Sequence, residues 1–230
     1  MKNDAVDRRR APCAAIVDLD GTLVDTLGDF EAALRRMLRD LSLRSIERSE
    51  IELMVGRGSE HLIRSVLQHV GADASRYDAA WRSYQQHYLA INGQFADVYP
   101  GVVEGLKQLK DRGLRLACVT NKPTSFAVPL LEAKGLAPFF DAVFGGDAFE
   151  RKKPDPLPLL KTCEALRSAP TQTLMIGDSG NDAAAARAAG CPVVLVTYGY
   201  NHGERIRVVD ADGFLDSLAG IGGWLAARED

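Results

Sequence analysis

Apolar residues fall into two patterns along this chain. The first is a set of short continuous runs, Ala14-Ala15-Ile16-Val17, Leu114 to Val119, Thr173-Leu174-Met175-Ile176 and Val193-Val194-Leu195-Val196. Runs of this kind fit strands buried on both faces of a parallel sheet. Ala142-Val143-Phe144 and Gly213-Phe214-Leu215 are shorter strand candidates. The second pattern is helical. From Val102 to Lys110, from about Thr124 to Lys134, and through Leu159, Leu160, Cys163 and Leu166, apolar residues recur on one face, and glycines at 113, 135 and 190 mark stops, the last behind an alanine-rich helix. Strands alternating with helices imply right-handed crossovers and a parallel sheet covered on both faces.

One block departs from this alternation. Phe30, Ala33, Leu34, Met37, Leu38 and Leu41 form one helical stripe, Leu62, Ile63, Val66, Leu67 and Val70 a second, and Tyr77, Ala80, Trp81, Tyr84 and Tyr88 a third. Nothing strand-like appears between about 26 and 95. A helical insertion therefore directly follows the first strand. The predicted organisation is a tail over 1–11, an α/β core from 12–25 and 96–230, and a helical unit over 26–95.

Composition narrows the class. With 230 residues, 46% of them hydrophobic, the chain can bury a full core, and no run reaches transmembrane length. A net charge of -3 supplies no basic field for nucleic acid, so a phosphate ligand must be held by local geometry. The expected partner is a small molecule, with neither nucleic acid nor membrane involved. Cys13, Cys118, Cys163 and Cys191 are widely spaced and read as reduced thiols of a cytoplasmic protein. Arg8-Arg9-Arg10 is no export signal, because Asp18 interrupts the apolar stretch behind it.

The chemistry gathers where strands end. Asp18 follows the first strand, with Asp20 two residues on and Gly21 free to turn the backbone beyond them. Two carboxylates facing one small volume repel unless a cation neutralises them or one keeps its proton. Thr120-Asn121 and Gly177-Asp178-Ser179-Gly180-Asn181-Asp182 end two further strands. Singly, each has an ordinary structural explanation, since Thr and Asn cap helices and Asp-Ser opens turns. Jointly they converge, because open parallel sheets bind ligands beyond the carboxyl ends of their strands. Carboxylates without a partnering His or Cys are hard oxygen donors suited to Mg²⁺. An anionic phosphate ester needs such a cation and a lysine, and Lys153 of Lys152-Lys153-Pro154 is the natural lysine.

Asp-x-Asp-Gly-Thr at 18–22, Thr-Asn at 120–121, Lys-Pro at 153–154 and Gly-Asp-Ser-x-x-Asp at 177–182 resemble the four motifs of the haloacid dehalogenase superfamily of phosphatases, in the same order. The resemblance runs from about residue 14 to 215. It implies a Rossmann-like doubly wound parallel sheet with an inserted α-helical cap domain, hinged near Val24–Leu27 and Asp97–Pro100. It also implies that Asp18 is a nucleophile forming an aspartyl-phosphate and Asp20 the acid and then base. Asp178 would ligate Mg²⁺ with Asp18 and the backbone carbonyl of Asp20, with Asp182 supporting the metal indirectly. Thr120 and Asn121 would bind phosphoryl oxygens, and Lys153 would tie nucleophile to phosphate. Thr22 would assist the acid/base residue or cap a helix.

Within the superfamily, Val55-Gly56-Arg57-Gly58, Tyr99-Pro100-Gly101 and Tyr198-Gly199-Tyr200 most resemble segments of bacterial phosphoglycolate phosphatases. The implied substrate is 2-phosphoglycolate, taken by a monomer or homodimer. Arg57, or backbone amides beside the glycines, is the candidate reader of a substrate carboxylate. Val17, Thr26 and Gly180 depart from the usual residues of that subfamily without touching an expected chemical role. Competing readings are a broad sugar phosphate or nucleotide phosphatase, a β-phosphoglucomutase-like mutase, and a phospho-acceptor signalling module. The acid cluster argues against a dehalogenase, and the absence of lysine from residues 24 to 98 against a phosphonatase.

Overall fold

The computed structural model describes residues 11–228. The expected tail over 1–11 lies outside the described residues except for Ala11. Six parallel strands form the main sheet: β1 (Ala14–Val17), β4 (Arg115–Val119), β5 (Ala142–Phe144), β6 (Thr173–Gly177), β7 (Val193–Val196) and β8 (Gly213–Leu215). Their order across the sheet is β5-β4-β1-β6-β7-β8. All six were legible as apolar runs. β1 is central, with Ile16 level with Ala117 on one side and Met175 on the other.

Alternation along the strands divides the core in two. Ala15, Val17, Leu116, Cys118, Leu174, Ile176, Val194 and Val196 point to one face and pack against α5 (Val102–Asp111), α6 (Thr124–Ala133) and α9 (Ile221–Ala226). Ala14, Ile16, Ala117, Val119, Met175, Val193 and Leu195 point to the other, against α7 (Leu157–Ala165) and α8 (Gly180–Ala189). Each large aliphatic side chain so buried contributes roughly 1.5–3 kcal/mol. With both faces covered, the ends of the strands are where polar chemistry can reach solvent. All four cysteines are free. Among the described residues no helix is long and apolar enough to cross a membrane.

The helical block contains α1 (Leu27–Asp40), α2 (Arg48–Glu52), α3 (Ser59–His69) and α4 (Tyr77–Ile91). The three predicted stripes are buried in one cluster of their own, which Phe126 and Tyr200 of the α/β part also enter. The short α2 has no stripe and was not expected. The segments expected to act as hinges contain a second, two-stranded sheet instead of plain linkers. β2 (Val24–Asp25) pairs antiparallel with β3 (Asp97–Val98), Val24 opposite Val98 and Asp25 opposite Asp97. Asp29, fully buried in the first turn of α1, accepts hydrogen bonds from the Gly93 amide at 2.7 Å and the Phe95 amide at 2.8 Å. It thereby fastens the chain leaving the helical block to the helix that entered it.

Asp29→Ala removes the acceptor of both amides and should destabilise the protein by about 1–3 kcal/mol. The expected result is a lower urea midpoint with an unchanged slope.

Candidate active site

β1, β4 and β6 end side by side, and the chain beyond each brings its polar residues to one place. Asp18 continues β1, its amide donating to Ile176 O at 2.9 Å. The backbone then turns at Gly21, whose φ of +84° favours glycine and where a Cβ would overlap the Asp178 carboxylate. A side chain there would push the two strand ends apart.

Lys153 is the hub. Its side chain is 2% exposed, and Nζ lies 2.9 Å from Asp18 Oδ1, 2.7 Å from Asp182 Oδ1 and 2.8 Å from Val119 O. The ammonium donates to Asp182 and to the Val119 carbonyl, and it stands in ion-pair contact with Asp18. Asp182 stands in the first turn of α8, where its other oxygen accepts from Ser179 Oγ at 2.7 Å and Ser179 N at 3.1 Å in a capping box. This carboxylate caps the helix and holds the lysine at once. Asp178 accepts from Thr22 Oγ1 at 2.8 Å and from Tyr200 N at 2.6 Å. Asp20 accepts from Thr26 Oγ1 at 2.8 Å and from Lys122 Nζ at 2.9 Å.

Crowding sets the electrostatics. Burial raises the Asp18 pKa from 3.8 to about 7, with Lys153 opposing and Asp182 adding to the rise. Burial, then the charges of Asp182 and Asp18, push Asp178 well above the usual carboxylate range. Lys153 is penalised by burial, but Asp18 and Asp182 outweigh this and raise its pKa. One oxygen each of Asp18, Asp178 and Asp182 lies within 4.8 Å of the others. These are hard donors of the kind that hold a small divalent cation. Asp18 Oδ1 is buried and, despite its approach to Lys153, accepts no well-directed hydrogen bond. Three acids against one lysine leave negative charge that a cation would neutralise.

A cavity of ≈ 20 Å³ opens on this cluster. Asp18, Asp20, Thr120, Asn121 and Lys122 line its floor; Phe30, Val55, Gly56, Gly58, Ser59 and Leu62 of the helical block line its roof. The Asn121 side chain donates to Lys153 O at 2.9 Å and to Gly56 O at 3.0 Å, so it links core to roof.

Two expectations require correction. Thr22 does not attend Asp20: its hydroxyl is fully buried against Asp178, because the turn at Gly21 carries it across to β6. Thr26 takes the place beside Asp20, so this departure from the subfamily pattern does touch the acid/base candidate. Arg57 does not line the inner cavity. It is exposed beside a separate outer groove with Glu60, His61, Glu150, Arg151 and Lys152, since the loop turns Gly56 and Gly58 inward and the residue between them outward.

The match to known proteins agrees with this geometry. Residues 15–196 match the model of the haloacid dehalogenase-like hydrolases. The chain belongs to this family. It is 42% identical to a phosphoglycolate phosphatase of Thiobacillus denitrificans over 90% of this chain and 92% of the other. A plasmid-borne phosphoglycolate phosphatase of Cupriavidus necator is 43% identical over 91% and 92%. A crystal structure described as a predicted phosphoglycolate phosphatase from Haemophilus somnus superposes with a TM-score of 0.88 at 32% identity, covering 91% of this chain and 96% of that one.

In this member of the haloacid dehalogenase-like hydrolases, sequence reasoning missed three site residues. Lys122 directly follows Thr120-Asn121, and its adjacency to that motif was the available signal. Thr26 had none beyond its place after the first motif. The Tyr200 hydroxyl accepts from the amides of Thr26 at 3.0 Å and Leu27 at 3.2 Å and donates to Asp25, serving the start of α1 from far along the chain.

With a chelator present, the raised Asp18 pKa predicts stability that falls as pH rises from 3.8 to about 7, since the folded state holds the proton more tightly than the unfolded chain. Asp18→Asn should make that decline shallower, measured as urea midpoints across the range.

Proposed function

We propose that this hydrolase cleaves 2-phosphoglycolate to glycolate and phosphate through a phosphorylated Asp18. The chain is a phosphatase; its family and its relatives over nine-tenths of its length support that class. The observation that carries the finer reading is Lys153 held between Asp18 and Asp182, with Asp20 facing the same cavity.

In the first step an Asp18 carboxylate oxygen attacks phosphorus, the ester P–O bond breaks, and Asp20 gives its proton to the departing alkoxide. In the second, Asp20 takes a proton from water, the water oxygen attacks the same phosphorus, and the bond to Asp18 breaks to release phosphate. Lys153 orients Asp18 and offsets charge on the transferring group. Thr120 and the Asn121 amide bind phosphoryl oxygens. Mg²⁺ held by Asp18, Asp178 and the Asp20 carbonyl would neutralise the approaching anions and polarise the phosphoryl group. Asp182 acts one step back, through Lys153 and the start of α8.

The helical block serves as the cap. A cavity of ≈ 20 Å³ is little more than one water needs, so an ester enters only when the cap swings away. Closing again expels water until the phosphoryl group has moved to Asp18.

The test is phosphate release from a panel of small esters, with Mg²⁺ and again with excess chelator. Preference for 2-phosphoglycolate, lost with chelator, is expected. A flat profile over sugar phosphates and nucleotides would remove the substrate and keep the phosphatase, whereas activity indifferent to chelator would remove the metal. Asp18→Asn should lower turnover by roughly 10³-fold or more, because an amide cannot form the acyl phosphate.

A further inference from the structure

Lys122 is the one cationic side chain lining the inner cavity among the described residues. It is also buried, its side chain 1% exposed, which is an unusual place for a lysine without a task. Its surroundings hold the ammonium firmly. Nζ donates to Asp20 Oδ1 at 2.9 Å and to Tyr88 Oη at 2.6 Å, and it lies 4.6 Å from the Phe30 ring centre and 4.7 Å from that of Tyr88. Two of three donors have acceptors in the protein, and the third is left for whatever occupies the cavity.

Position gives this free donor a meaning. Under the reading above, Asp20 delivers its proton to the leaving oxygen, so a group that touches Asp20 and faces the cavity stands on the leaving-group side of the phosphorus. In 2-phosphoglycolate the leaving oxygen carries a CH₂ and then a carboxylate. The substrate's second negative charge therefore lies on the same side of the phosphorus as the Lys122 ammonium. The carboxylates of Asp18 and Asp20 lie on the floor, and the roof adds no charge: Phe30, Val55 and Leu62 are apolar, while Gly58 and Ser59 open α3, whose first amides have no side-chain cap. That helix terminus adds a weak positive potential on the same side.

We propose that Lys122 is the specificity residue that binds the carboxylate of the substrate. The assignment rests on the phosphoglycolate reading and moves the role expected of Arg57 from the outer groove to the cavity floor. Selection follows from burial. An ester with a neutral tail leaves the ammonium's third donor unanswered in a closed site, and one with a larger tail meets Phe30 and Leu62. Tyr88 adds a condition, because its hydroxyl comes from the cap. Lys122 is fully oriented only while the cap is closed, so the carboxylate is read at closure.

The experiment compares 2-phosphoglycolate with 2-hydroxyethyl phosphate, which has similar length and no second charge, in wild type, Lys122→Met and Lys122→Arg. The readout is the ratio of kcat/KM values for the two esters within each protein, which does not depend on how much of a variant is folded. Wild type should prefer 2-phosphoglycolate; Lys122→Met should shrink that ratio by about 10- to 100-fold, and Lys122→Arg should recover part of it. Equilibrium binding of both esters to Asp18→Asn and to Asp18→Asn/Lys122→Met should show the same selective loss without turnover. A Lys122→Met protein that loses activity on both esters equally, with its ratio intact, would reduce Lys122 to a support for Asp20 and overturn the proposal while leaving the substrate standing. A wild type without preference would overturn the substrate reading itself, and with it any carboxylate reader.

Discussion

Three buried carboxylates crowd the mouth of the sheet beside one buried lysine that pairs with two of them, and most of the local architecture answers that constraint. Burial first, and then the like charges alongside, raise Asp18 and Asp178 above ordinary carboxylate values. The fold holds the group together because β1 and β6 are hydrogen-bonded neighbours and Gly21 lets the two strand ends approach. Asp182 is tied into the first turn of α8 and cannot retreat from Lys153. Under the proposed mechanism, the arrangement trades stability for a site prepared to receive positive charge and a phosphoryl group.

A second lysine divides the work. Lys153 is held by Asp182 and the Val119 carbonyl and pairs with Asp18. Lys122 lies beside Asp20, with aromatic rings against it and a donor to spare. Both are buried cations paired with an acid, yet in the proposed mechanism one attends the bond being made and the other the group departing. Their separation follows from sheet order, since Lys122 comes from the end of β4 and Lys153 from the loop beyond β5.

The sheet was legible because burial on both faces forces continuous apolar runs, and Ala14–Val17 or Val193–Val196 could hardly be anything else. The three long stripes of the helical block were legible for the matching reason, one buried face each. The acids were legible by type and by their place at strand ends. Contacts made across long sequence separation were not. Thr22 reaches Asp178 and Tyr200 reaches the start of α1 only because the chain around Gly21 meets the segments beyond β6 and β7 in space, and no local pattern encodes that meeting. Arg57 was misplaced because charge and flanking glycines identify a loop without showing which of its residues points inward. The ribbon of β2 and β3 is too short to carry an alternating pattern.

That ribbon also bears on how such a molecule can diversify. By pairing Val24 with Val98, it closes the insertion at its neck, and the entropy of joining the ends does not have to be met again by the helices beyond. The sheet therefore sees the same two-strand stub whatever lies above it. Helices in the insertion can be lengthened, swapped or reshaped while Asp18 and Asp178 keep their registration at the ends of the neighbouring strands β1 and β6. Inheritance can thus act on the two parts separately, holding the reaction fixed in the core while the roof drifts toward new leaving groups.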